Sequence, residues 1–142
     1  MHSFETADGL YGVIGFPLSQ SLSPVLHNWG FNELQLPHAY YAWTIPGDAL
    51  PAFTVSLRCL PIHGASVTLP HKQHIIPYVD HLTSEARSTA AVNTLFWREG
   101  ELWGENTDVA GFLSPLKRRG EAPESALILG SGGAGLACIH GL

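Results

Sequence analysis

Two side chains in this sequence stand out chemically: a lysine and an aspartate. Lys72 is one of only two lysines in 142 residues. The other, Lys117, belongs to the basic run Lys117-Arg118-Arg119, which the end of a helix accounts for. Lys72 sits in Ser66-Val67-Thr68-Leu69-Pro70-His71-Lys72 among apolar neighbours. It reads either as a solvated surface charge or as an amine whose pKa, ordinarily about 10.4, burial lowers until it exchanges protons near neutral pH. Asp108 closes Gly104-Glu105-Asn106-Thr107-Asp108 ahead of a predicted helix, where the helix dipole favours a carboxylate and where a purely structural Asp is equally at home. If the two meet, the carboxylate holds the ammonium in place while the amine gives or takes a proton, a pairing suited to oxidising an alcohol. Asn93-Thr94 would add neutral hydrogen-bonding groups for substrate hydroxyls.

Two more segments bear on the chemistry. Ser19-Gln20-Ser21-Leu22-Ser23-Pro24 offers hydroxyls beside the free N–H groups of a following helix, a setting for a carboxylate ligand. N-capping explains Ser23 equally well, whereas Ser21 has no such local duty in the sequence. Near the end, Gly130-x-Gly132-x-x-Gly135 follows the apolar run Ala126-Leu127-Ile128-Leu129 and opens a helix-compatible segment, the context in which glycines let a backbone approach a pyrophosphate. Leu136 stands where a phosphate-contacting lysine would complete a Walker loop, so that alternative fails. The eight histidines include His71-x-x-His74, but with no HExxH pattern or neighbouring carboxylate or cysteine no metal site is expected.

The elements that must position these groups alternate. Leu10 to Phe16 reads as a strand covered on both faces. Ser23-Pro24 then starts a helix whose Leu22, Val25, Leu26, Trp29 and Leu36 recur at helical spacing. Ala39 to Ile45 is β-prone, Leu50, Phe53, Leu57 and Leu60 share a helical face, and Ile62 to Thr68 returns to strand character. Ala91 to Trp97 and Leu102 to Gly104 form a predicted hairpin around Glu99-Gly100. A last helix, capped by Thr107 or Asn106, buries Val109, Phe112, Leu113 and Leu116 and stops at Gly120, and Ala126 to Leu129 opens a new strand. The fold class is α/β, a mostly parallel sheet flanked by helices. Residues 1–120 form one domain, and residues 121–142 supply a linker and the start of a Rossmann-type second domain.

Composition narrows the function. With 45% hydrophobic and 13% charged residues the chain is globular, and a net charge of −5 leaves little to neutralise phosphates, so neither nucleic acid nor an anionic membrane is an expected partner. Cys59 and Cys138 form no metal-ligand or disulfide pattern, and Met1 to Thr6 lacks a secretory leader. The expectation is a soluble, cytoplasmic protein acting on a small molecule. An uncovered domain face and the strand Ala126–Leu129 would allow a homodimer.

Taken together, Gly15-Phe16-Pro17-Leu18-Ser19-Gln20-Ser21-Leu22-Ser23-Pro24 with His27-Asn28, Val67-Thr68-Leu69-Pro70-His71-Lys72, Ala91-Val92-Asn93-Thr94, Gly104 to Gly111, and Gly130 to Gly135 resemble the shikimate dehydrogenase family. The resemblance implies NADPH-dependent reduction of 3-dehydroshikimate to shikimate in aromatic amino-acid biosynthesis. By it, Ser21 and Ser23 bind the substrate carboxylate, and Thr68, Asn93 and Asp108 bind the ring hydroxyls. Lys72, paired with Asp108, transfers the proton, and Gly130, Gly132, Gly133, Ala134 and Gly135 cradle the NADP pyrophosphate. The chain departs from the family at Ser66, where Asn is usual. The rest of the cofactor domain, and the late glutamine and C-terminal helix that complete the family's substrate site, are not in the chain, so a fragment that binds but does not turn over is expected. The alternatives are a shikimate- or quinate-binding module, a quinate/shikimate dehydrogenase and, more remotely, a metal-dependent hydrolase.

Overall fold

The structure, a computed structural model, describes residues 7–120, 124–130 and 132–142. Met1 to Thr6, most of the linker expected at Glu121 to Glu124, and Ser131 of the glycine-rich run lie outside the described residues.

The chain runs β1 (Gly9–Gly15), α1 (Ser23–Glu33), β2 (His38–Thr44), α2 (Leu50–Cys59), β3 (Ile62–Val67), α3 (His71–His74), β4 (His81–Leu82), α4 (Ser84–Thr89), β5 (Thr94–Arg98), β6 (Glu101–Glu105), α5 (Asp108–Arg119) and α6 (Gly133–Gly141). The six strands form one sheet in the order β2-β1-β3-β5-β6-β4. The β-α-β-α-β alternation makes β2, β1 and β3 parallel. The hairpin breaks the pattern, because β5 runs antiparallel to both β3 and β6, while β4 pairs parallel with β6. Its turn is the expected one, with Glu99 at φ 55° and Gly100 at φ 82°, the left-handed pair that matches strand twist.

The core lies between the sheet and α2. Leu50, Phe53 and Leu57 are buried at i, i+3 and i+7 against Ile14, Ile62, Val67, Leu95 and Leu102. Each such side chain contributes roughly 1.5–3 kcal/mol by leaving water. Leu60, expected on the same helical face, is exposed, because the helix ends at Cys59 and Leu60 is extended (φ −107°, ψ 158°).

Helix α1 inverts its expected orientation. Its apolar stripe, Leu22, Val25, Leu26 and Trp29, is 63–78% exposed, and Leu36 is exposed as well. The inward face carries His27, Asn28 and Phe31. His27 stacks on Tyr40 with ring centroids 4.2 Å apart, and Phe31 packs on Tyr11 and His38. Asn28 Nδ2 donates to the Tyr40 carbonyl at 2.9 Å, and its Oδ1 accepts from the Tyr40 N–H at 2.8 Å. These are backbone groups of the edge strand β2, so hydrogen bonding rather than apolar burial sets which side of α1 faces the sheet.

Two other expectations change. Ala91 to Asn93 precede β5 instead of belonging to it, because their backbone groups are taken elsewhere: Val92 N–H by the Lys72 carbonyl and Asn93 N–H by the Glu105 carbonyl. Ala126 to Leu129 is not a strand, since no neighbouring strand pairs with it, and Leu127 and Leu129 are exposed. Helix α6 packs on α4 and α5, and α5 stops at the left-handed Gly120 as its sequence predicts. Among the described residues no helix is long and apolar enough to cross a membrane.

Asp80 fastens the region around β4. Arg58 donates to both of its oxygens, and its Oδ2 accepts from the Leu102 N–H at 2.8 Å. The Arg58 hydrogen bonds, followed by the Leu102 N–H, hold the Asp80 carboxyl below its ordinary pKa. A lowered carboxyl pKa adds stability above the unfolded-state value, about 3.9, and that stability is lost as pH falls through the folded-state value. Asp80→Asn is therefore expected to lower the urea midpoint at pH 6, with the difference from the parent shrinking toward pH 2. Asn28→Ala is expected to cost about 1–2 kcal/mol in the same measurement by stranding the Tyr40 backbone groups. Asn28→Asp should recover only the Tyr40 N–H bond, with a carboxylate set against the Tyr40 carbonyl.

Candidate active site

The site is assembled by the turn that leaves β3. Thr68 N–H donates to the Ile14 carbonyl (2.9 Å), Phe16 N–H to the Leu69 carbonyl (2.9 Å), and Val92 N–H to the Lys72 carbonyl (2.7 Å). His71 is fully buried, and its Nε2–H donates to the Ile45 carbonyl at 2.6 Å. The residues after β1, the end of β2 and the segment before β5 are thereby bonded to the turn that presents Thr68 and Lys72. His71, for which the sequence argues against a metal role, is a hydrogen-bonded clamp on the backbone beside Lys72. Among the described residues no group of three or more His, Cys, Asp or Glu is placed to hold a metal ion.

Lys72 and Asp108 meet. Nζ lies 2.5 Å from Asp108 Oδ2, with the two side chains 16% and 30% exposed. A half-buried pair of this kind is kept ionic only where other hydrogen bonds hold it in place. Asn93 provides one, donating through Nδ2 to Asp108 Oδ1 at 2.8 Å and to Thr107 Oγ1 at 2.9 Å. Asn93 Oδ1 accepts from the Thr107 N–H (3.0 Å) and the Thr94 hydroxyl (2.9 Å), so the amide's orientation is fixed from both ends. Behind it lies Asn106, 1% exposed, which the sequence offers only as one of two capping candidates. Its Nδ2 donates to Thr89 Oγ1 and the Ala91 carbonyl, and its Oδ1 accepts from the Asp108 N–H at 3.0 Å. Thr107 occupies the cap position of α5 without a side-chain cap bond, and Asn106, one residue earlier, takes the helix's first N–H instead.

Ser21, Ser23 and Thr68 line a separate cavity of about 380 Å³ that also takes in Pro17, Leu18 and Gln20. The serine roles are reversed relative to the sequence expectation. Leu22 occupies the cap position of α1, Ser23 is the first helical residue, and Ser21 Oγ accepts from the Ser23 N–H at 3.4 Å. Ser21 has the local helix-end contact, and the Ser23 hydroxyl has no capping duty. Ser66 lies on the sheet beneath α1, where its Oγ accepts from the Tyr40 hydroxyl at 2.8 Å. Burial raises the Tyr40 pKa, and the Ser66 hydrogen bond partly offsets it.

The glycine run is a turn into α6. Gly130 has φ 116°, a conformation few other residues adopt, and a side chain at Gly135 would run into the Gly130 carbonyl. At Gly132, the residue before α6, a Cβ would meet no protein atom. The first amides of α6 have no intrahelical acceptor, so the turn offers N–H groups and open space of the kind a diphosphate requires. The residues present fit the nucleotide that the glycine pattern implies.

Residues 13–95 match the family model of the shikimate dehydrogenase substrate binding domain. The chain belongs to that family. A shikimate dehydrogenase (NADP(+)) of Oleidesulfovibrio alaskensis is 50% identical over 133 residues, covering 94% of this chain and 48% of the relative, and one of Maridesulfovibrio salexigens is 47% identical. The chain spans about half the length of the curated relatives it matches. The Thermus thermophilus shikimate 5-dehydrogenase, solved with shikimate, superposes with a TM-score of 0.86 at 39% identity, covering 94% of this chain and 51% of that one. The Listeria monocytogenes shikimate 5-dehydrogenase, solved with shikimate and NAD, gives 0.89 at 33% identity, covering 99% and 50%.

Asn106 provides the test of this geometry. Asn106→Leu, similar in size, would strand the Asp108 N–H and take one partner each from Thr89 Oγ1 and the Ala91 carbonyl, which keep their bond to each other. The expected loss is about 1–3 kcal/mol in denaturant unfolding, more than Thr107→Val should cost.

Proposed function

We propose that this chain is the substrate-binding, proton-transferring part of an NADP-dependent shikimate dehydrogenase, acting between 3-dehydroshikimate and shikimate. The observation that carries the reading is the Lys72–Asp108 pair, 2.5 Å apart and locked by Asn93. It sits on the same turn as Thr68, which borders the cavity of Ser21 and Ser23. The relatives named shikimate dehydrogenase, and the solved structures holding shikimate, support the substrate class.

In this reading Ser21 and Ser23 receive the ring carboxylate, and Thr68, Asn93 and Asp108 orient the hydroxyls. Gly130, Gly132, Gly133, Ala134 and Gly135 would hold NADPH, whose chemistry when bound would be to supply a hydride to the C3 carbonyl carbon. Lys72 gives one ammonium proton to the carbonyl oxygen as it becomes a hydroxyl, and the neutral amine then regains a proton from water. Asp108 stays a carboxylate throughout, holding Nζ in line and stabilising its charged form. Residues 1–120 would be the substrate-binding domain and residues 121–142 the beginning of the nucleotide-binding one.

Calorimetric titration with shikimate tests the site. Binding is expected, weakened about tenfold or more by Asp108→Asn, a charged hydrogen-bonding partner, and unaffected by Asp80→Asn, on the β4 side of the sheet. No heat at millimolar shikimate, or equal effects of the two substitutions, overturns the assignment. If nicotinamide absorbance shows turnover with shikimate and NADP⁺, Lys72→Ala should reduce it by about 10²–10⁴.

A further inference from the structure

The glycine run contains one residue whose smallness has a second reason inside the protein, besides the nucleotide it would hold. Gly133, the first residue of α6, lies against the aliphatic stem of Lys72. A Cβ there would sit 3.2 Å from Lys72 Cδ, with Lys72 Cβ and Ala91 Cβ next at 3.9 Å. Its φ is not in the left-handed region, so the backbone conformation does not require glycine. A 3.2 Å contact is tighter than ordinary carbon packing, so one partner must yield by a few tenths of an ångström.

Lys72 has little room to yield. Its carbonyl accepts from Val92 at 2.7 Å, and its Nζ is tied to Asp108 Oδ2 at 2.5 Å. Asp108 is fixed in turn by Asn93 on Oδ1 and by Asn106 on its N–H. The stem is held at both ends, and Gly133 touches its middle. Pressure there is passed to the one soft joint left, the Nζ–Asp108 contact.

We infer that Gly133 is a positioning residue for Lys72: the absence of a side chain at the start of α6 sets where the ammonium rests. The geometry stands without the proposed function, which enters only in naming Lys72 the proton donor. Gly130 and Gly135 shape the turn and Gly132 leaves open space, so within one short run only Gly133 is fitted to the lysine.

The test uses the whole chain without nucleotide. The Lys72 side-chain signal is followed by heteronuclear NMR in the parent, Gly133→Ala and Gly132→Ala, with Lys72→Arg assigning the peak. Gly133→Ala is expected to shift the Lys72 Cε and Nζ signals and their pH titration, while Gly132→Ala leaves them in place. Shikimate binding by Gly133→Ala should weaken about tenfold. Unchanged Lys72 signals in Gly133→Ala, or equal shifts in both variants, overturn the inference. A parent that binds no shikimate but shows the selective shift overturns the proposed function and leaves this inference standing. Alanine favours a helix's first turn over glycine, so Gly133→Ala should fold. If it does not, unfolding rescued by the added truncation Lys72→Ala supports the contact, and unfolding that persists refutes it.

Discussion

The structure depends on keeping a lysine ammonium and a carboxylate in contact where water reaches them only partly. Such a pair loses hydration on both partners, and attraction alone compensates only where the geometry is held. Nearly every polar residue around the site serves that end. Asn93 has a donor on Asp108 and an acceptor for Thr107, and Asn106 fixes the Asp108 backbone from within the core. His71, with no exposed surface, ties the lysine's turn to the end of β2. Asn93 and Asn106, two amides, thereby satisfy the pair without adding charge.

The same economy explains α1. A helix with an apolar stripe is expected to bury it. Here the inward face instead carries an amide and an imidazole, because the edge strand beneath it has backbone groups that only a polar side chain can satisfy. Asn28 closes the edge at Tyr40, and the Tyr40 hydroxyl in turn donates to Ser66 Oγ.

Much of this was legible in the sequence, for identifiable reasons. The chemistry-bearing residues could be found because lysine is so scarce and because glycine, serine and Asn-Thr-Asp runs cluster at predicted element ends. The β1, β2 and β3 strands, α2 and α5, and the Glu99-Gly100 turn follow from local rules of periodicity, stopping and turn conformation. Most of what failed depended on a partner or a boundary that local pattern does not carry. Periodicity revealed the stripe on α1 but not the direction it faces, which Tyr40 decides. The Ser21–Ser23 reversal depends on where the helix's first turn begins, a matter of one residue. Ala126 to Leu129 has strand composition, but a strand needs a neighbour. Buried Asn106 and His71 look like ordinary polar residues until the backbone groups they reach are known.

The mixed sheet is also what brings the site to a single edge. In a purely parallel sheet, ligand groups gather beyond the carboxyl ends of the strands, and Asn93, at the start of a strand, would lie at the opposite edge. Because β5 runs antiparallel, its beginning falls beside the end of β3, with Ser66 opposite Thr94, and the end of β6 returns to the same row, with Thr94 opposite Glu105. Gly15 and Val67 close β1 and β3 along that line. The two-residue turn at Glu99-Gly100 thus has a consequence far from itself. By fixing the hairpin's register it puts Asn93 within reach of Asp108, and a slip of one residue would turn the Asn93 side chain to the other face and leave the Lys72–Asp108 pair without its lock.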